Sequence, residues 1–113
     1  MSKWKVVYMP EAVEDFAALD GSQRILVRKM IDRVSENPLP DYEGGYGKAL
    51  GNKYGNNLTG LLKIKLKASG LRVIYKLEKI DKEMIIVIIG ARSDNEVYEL
   101  AGKRVVLLPH YFK

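Results

Sequence analysis

The sequence contains no cysteine and a single histidine, His110, three residues from its C-terminus. Without cysteine there is no disulfide framework, no thiolate metal site and no thiol nucleophile, which fits a reducing cytosol. One histidine cannot build a two-histidine ribonuclease centre or a histidine metal cluster, and its place beside Pro109 reads as surface. Acidic residues are dispersed, with no pair at a spacing suited to Mg²⁺. Gly44, Gly45, Gly47 and Gly51 have neither the preceding strand nor the following Gly-Lys-Ser/Thr of a phosphate loop. Long apolar runs are missing too. The longest, Met84 to Ile89, falls far short of the ~20 residues a membrane span needs. The start, Met1-Ser2-Lys3-Trp4, reaches a charged stretch by Glu11 and leaves no room for the apolar core of a signal peptide. These absences exclude most familiar hydrolase centres. They lead to the expectation of a soluble cytoplasmic protein with no metal, no small-molecule cofactor and no membrane partner.

What is present is an ordinary folding composition: 113 residues, 47% hydrophobic and 29% charged. That length supports one core and hence one domain over residues 1–113. The net charge is +5, and its distribution tells more than its size. Residues 1–59 hold eight basic and eight acidic side chains, whereas residues 60–113 hold eleven basic against six acidic. Lys63, Lys65, Lys67, Arg72 and Lys76 follow one another with no intervening acid. Such a local field suits a polyanion such as RNA. A solvated lysine-rich sheet face, kept basic for solubility and edge protection, is the other reading of the same run.

Residues 3–8 alternate as a short strand, and Pro10 suits the first position of a helix, where its missing N–H is not needed. Val13, Phe16 and Ala17 form the expected apolar stripe of that helix, which stops near Asp20-Gly21. A second helix from about Ser22 places Leu26, Val27, Met30, Ile31 and Val34 on one face and ends at Asn37-Pro38. From Pro38 to Gly60 the chain holds six of its ten glycines and shows no sustained period, so it reads as a loop. Structureless connections of that length are uncommon in compact domains, which makes the segment either functional, ordered by a partner, or a tolerated surface insertion.

In Leu62-Lys63-Ile64-Lys65-Leu66-Lys67 the even positions are apolar and the odd positions are lysine, so period two gives one buried and one cationic face. Ala68-Ser69-Gly70 supplies a turn, and a second strand over residues 71–77 has its odd positions apolar. Any register that joins the two apolar faces puts Arg72 on the lysine face. Met84 to Ile89 reads as a central strand buried on both faces, and Asp94 as the cap of a final helix with Val97, Leu100 and Ala101 inward. The expected fold is α+β: a small antiparallel sheet with two N-terminal helices packed on one face, in the order β-α-α-β-β-β, then a short C-terminal helix. Arg92 and Tyr98, leaving the end of the buried strand, are placed to fold back over the rim of the cationic face.

The run from Leu62 to Tyr75, followed by Gly90-Ala91-Arg92 and Glu96-Val97-Tyr98, closely resembles the RelE toxins of bacterial type II toxin–antitoxin pairs. The resemblance covers nearly the whole chain, is strongest over residues 61–98, and is weakest in the 38–57 segment and after Arg104. It implies an mRNA endoribonuclease that works in the ribosomal A site and inhibits translation. The ribose 2′-hydroxyl would attack the adjacent phosphate, giving a 2′,3′-cyclic phosphate and a 5′-hydroxyl. It also implies a cognate antitoxin protein as partner. Carried over to this sequence, Lys65 resembles the general base, Arg92 the general acid, Lys63 and Arg72 the stabilisers of phosphorane charge, and Tyr98 the group that stacks on or orients a base. Lysine is almost wholly protonated at neutral pH, so a lysine base calls for like charges around it. Arginine is a reluctant acid, so Arg92 neutralises a leaving oxygen more readily than it gives up a proton. Because acid–base positioning yields only ~10² to 10⁴ in rate, the ribosome is expected to supply the rest by holding the RNA in line, with poor activity on free RNA.

Three features depart from better-known relatives: Leu62 where many carry an aromatic, Asp94 where a second arginine often follows, and the long Gly/Tyr segment. The wider RelE/ParE superfamily shares the fold, so a ParE-like inhibitor that binds DNA gyrase without catalysis remains an alternative. So does a non-catalytic RNA-binding module, which would keep the lysine face and tolerate loss of Tyr98. The apolar tail Val105 to Leu108 is a candidate docking edge for an antitoxin, or an additional packed strand.

Overall fold

The computed structural model describes residues 3–53, 56–66, 69–91 and 94–106. The elements are β1 (Lys5–Tyr8), α1 (Pro10–Ala17), α2 (Gly21–Val34), a 3₁₀ turn (Asp41–Glu43), β2 (Lys48–Ala49), β3 (Asn52–Lys53), β4 (Asn56–Asn57), β5 (Leu61–Leu66), β6 (Leu71–Glu78), β7 (Glu83–Gly90) and α3 (Asp94–Val105). Five of the strands form one sheet in the order β1-β7-β6-β5-β2, while β3 and β4 form a separate small hairpin. The α+β order expected from the sequence is the one observed, but the sheet is mixed, because β1 joins β7 in parallel. A strand followed by two helices and a returning path through β5 and β6 brings β7 back alongside β1 in the same direction.

The helices form where local chemistry allows them. Pro10 opens α1. Asp20 caps α2 reciprocally, its carboxylate accepting from the Gln23 N–H at 2.8 Å while its own N–H donates to the Gln23 side chain at 3.1 Å. On α2, Val27, Ile31 and Val34 are buried as the helical period requires, but Leu26, expected on that face, is 46% exposed. On α1 the expected stripe is turned by one residue. Ala12 is fully buried and Val13 is 54% exposed. The Met9 N–H donates to the Ile86 carbonyl, which fixes the angle at which α1 leaves the sheet. The small side chain of Ala12 then meets β7, and Asp15, one turn on, faces inward with it.

The 38–60 segment is not the structureless loop its composition indicated. The Tyr75 hydroxyl, buried in the core, donates to the Pro38 carbonyl at 2.7 Å and pins the start of the segment to the sheet. Gly47 is required beside it, since a Cβ there would overlap that hydroxyl. Backbone hydrogen bonds from Asp41 to Gly47, Gly45 to Pro40 and Tyr46 to Asn37 close the turn, with Gly44 at φ +85°. β2 then adds to the edge of β5.

The core is a single cluster running from Met9 to Ala101. Ile64 pairs with Val73 and Leu66 with Leu71, so the apolar sides of β5 and β6 coincide as the alternation demanded. The stretch Met84 to Ile89 is buried throughout. A bulge between β6 and β7 lets Ile74 pair with Ile88 and Tyr75 with Ile86, leaving Val87 as the extra residue.

Candidate active site

The alternating lysines of β5 lie on the side of the sheet opposite Ile64 and Leu66, about 6 to 7 Å apart along the strand. Arg72 of β6 sits directly across from Lys65. Two cations facing one another across a strand pair cost stability rather than add it, and an anionic ligand offsets that cost. One arm of the Arg72 guanidinium donates to the Gly70 carbonyl at 3.0 Å, which folds the side chain over the hairpin turn. Lys65 is exposed and Lys63 is half-buried.

α3 brings the next group. Val97 and Ala101 are fully buried, which seats the helix on the sheet and carries Tyr98 to Lys63. The Lys63 ammonium donates to the Tyr98 hydroxyl at 2.6 Å and lies 5.3 Å from the ring centroid. Tyr98 is only 3% exposed, so its ring is packed under the helix rather than presented to solvent. Lys63, Lys65, Arg72 and Tyr98 therefore gather around one strand pair. Arg92 lies outside the described residues. So do Leu107, Leu108 and His110; of the tail expected as a docking edge, Val105 ends α3 and Val106 is 70% exposed.

Two contributions to this arrangement leave no pattern in the sequence. Lys48 of β2 is directly opposite Lys63 and exposed, which adds a third column to the cationic face. A two-residue strand is too short to show a period. The second is an ion pair between α1 and α3. The Arg104 guanidinium grips both oxygens of the Asp15 carboxylate, at 2.6 and 3.2 Å. The same pair satisfies backbone groups of β7 beyond the last residue that β1 reaches: Arg104 donates to the Val87 carbonyl at 3.0 Å, and Asp15 accepts from the Ile89 N–H at 3.1 Å. Two side chains thus stand in for a missing rung of strand pairing, and they tie down the end of the helix that carries Tyr98. Among the described residues no group of His, Cys, Asp and Glu is arranged to hold a metal ion, and no helix is long and apolar enough to cross a membrane.

A small mixed-sheet domain with a cationic hairpin held under a C-terminal helix defines the class by architecture: the fold is that of the RelE proteins. No family model matches the chain. Over 106 residues it is 29% identical to a putative RelE-like toxin protein of Escherichia coli, covering 91% of this chain and 98% of that protein. It is also 29% identical over 100 residues to the mRNA interferase toxin RelE of E. coli K12, covering 84% and 90%. Its fold matches that of a chain in the RelBE2 toxin–antitoxin complex of Mycobacterium tuberculosis with a TM-score of 0.66, at 20% identity over 83% of this chain and 97% of the other. Over most of its length, in sequence and in fold, the chain is thus similar to RelE toxins of toxin–antitoxin systems.

Proposed function

We propose that this chain is a ribosome-dependent endoribonuclease that cuts mRNA without a metal and is held in check by a protein antitoxin. The observation that carries the reading is the grouping of Lys63, Lys65 and Arg72 on one hairpin face with Tyr98 bonded to Lys63. Support from kinship comes from the relatives named as mRNA interferases and from the neighbouring fold seen in complex with an antitoxin.

In this mechanism Lys65 takes the proton of the ribose 2′-hydroxyl as that oxygen attacks phosphorus. Arg72, opposite Lys65, and Lys63 compensate the charge that builds on the non-bridging oxygens. As the bond from phosphorus to the 5′-oxygen breaks, Arg92 neutralises the leaving oxygen, which takes a proton from water and departs as a hydroxyl, while the proton held by Lys65 returns to solvent. The phosphorus remains in a 2′,3′-cyclic phosphate. Tyr98 acts here through Lys63, holding its ammonium toward the phosphate, because a covered ring offers no open face for stacking a base. The setting is the cytoplasm, where mRNA is translated.

In vitro translation with primer-extension mapping tests the assignment. The wild-type chain is expected to give cuts at fixed codon positions that disappear in Lys65→Ala and Arg92→Ala. Intact mRNA together with inhibited DNA supercoiling would replace this reading with gyrase inhibition, since a gyrase binder has no need of these side chains as a set.

A further inference from the structure

The nuclease reading accounts for Lys63, Lys65 and Arg72 but not for Lys48. This exposed cation is paired directly opposite Lys63, repeating on the edge strand the unfavourable like-charge pairing of Lys65 with Arg72. Immediately behind Lys48 the chain enters a cleft of about 350 Å³ at the end of the β5–β6 pair. Its walls include Tyr42, Glu43, Ala49, Leu62, Lys76 and Leu77. Lys76 is exposed and pairs with Leu61, two residues along β5 from Lys63 and on the same side of the sheet. Tyr42 is 76% exposed, so unlike Tyr98 it offers an open ring. The 38–47 turn that presents Tyr42 is held by Tyr75 and Gly47 rather than left free.

We propose that Lys48 and this cleft form a subsite for the nucleotide next to the scissile phosphate, with Lys48 on its phosphate and the cleft on its base. The inference rests on the nuclease reading and extends it from one phosphate to two. An apolar floor with an exposed aromatic edge suits a base, whose flat face stacks on tyrosine whatever its identity. Glu43 at the rim supplies an acceptor for an exocyclic amino group, which gives the cleft a means of discriminating among bases. Lys76 adds positive charge near the mouth. The distance from Lys63 to the cleft, two residues of strand or about 7 Å, is within the reach of one nucleotide of an extended RNA.

The test uses ribosomes programmed with short mRNAs in which the phosphate on one side or the other of the cut is native or an uncharged methylphosphonate. For wild type, one of the two replacements is expected to raise KM about tenfold, with kcat within about twofold. Lys48→Ala on native RNA is expected to show the same rise, to be indifferent to that replacement, and to recover in Lys48→Arg. Tyr42→Ala is expected to flatten the preference for the base at that position. Lys48→Ala cutting native RNA with wild-type KM, or losing a further factor on the uncharged RNA, overturns the subsite while leaving the nuclease intact. A wild-type chain that cuts no programmed mRNA defeats the nuclease reading and the subsite with it. Lys48 is exposed, so a melting temperature equal to that of wild type verifies the fold.

Discussion

At the scale of single residues, hydrogen bonds to charged or buried groups set the expected effects. Tyr98→Phe keeps the ring that packs α3 on the sheet and removes only the oxygen that accepts from Lys63. A charge-assisted hydrogen bond is worth about 1.5 to 3 kcal/mol. Cleavage mapped by primer extension is therefore expected to slow about 10- to 100-fold with little change in thermal melting. Tyr75 illustrates a structural hydroxyl. Burial pushes its phenol well above the ordinary tyrosine value, and Tyr8 is raised for the same reason, with Arg28 opposing. A group held protonated by the fold contributes stability that is intact below the unfolded pKa of about 10 and declines as pH climbs above it. Tyr75→Phe is expected to cost about 1 kcal/mol at neutral pH, by stranding the Pro38 carbonyl. Its urea midpoint is then expected to fall less than that of wild type between neutral and strongly alkaline pH; equal slopes would refute the assignment.

At the scale of elements, the Asp15–Arg104 pair joins the first helix to the last across the end of β7. It is partly buried, with the two side chains 18% and 16% exposed, and it also satisfies two backbone groups. Removing one partner leaves a charge and a backbone group without their bonds. Arg104→Ala is expected to lose about 2 to 3 kcal/mol in urea denaturation, near the lower end for a broken buried pair. Because Tyr98 rides on the same helix, hydrogen exchange in α3 is expected to quicken in the variant, and an unchanged α3 would show that Val97 and Ala101 alone hold it. None of this is legible locally: the apolar spacing of the first helix puts Val13 inward, whereas Ala12 and the polar Asp15 take that side. A charged residue on the inward face broke the hydrophobic period from which the stripe was inferred.

At the scale of the molecule, the net charge of +5 is concentrated toward the second half of the chain, and the sheet turns that linear excess into a face. RNA binding is therefore expected to weaken steeply with salt, because each neutralised phosphate releases counterions. Lys65→Ala and Lys48→Ala are each expected to reduce the log–log slope by about 1, whereas Lys3→Ala, at an exposed ion pair with Asp32, leaves it unchanged. Equal slopes for all three would mean that the basic face does not track the RNA backbone. The Gly/Tyr segment also belongs at this scale. Its composition gave no period, yet it folds into a turn pinned by Tyr75 and an edge strand that completes the face.

The sequence by itself determined the β5–β6 hairpin and the cationic side shared by Lys63, Lys65 and Arg72, because period-two alternation is a local property and a slip of one residue would turn every apolar side chain to water; which residues pair was decided by the fold. The sequence also determined the buried strand β7 through a continuous apolar run and the helix α2 through its helical spacing of apolar residues, both local properties as well. Tertiary structure alone decided that Lys48 stands opposite Lys63, that the Tyr98 hydroxyl rather than an open ring meets the site, and that Asp15 and Arg104 complete the pairing of β7. Those contacts join residues 15, 35 and 89 positions apart, as separations too long for any local period to encode. They are fixed only when the sheet closes and the backbone groups it leaves unpaired must find partners.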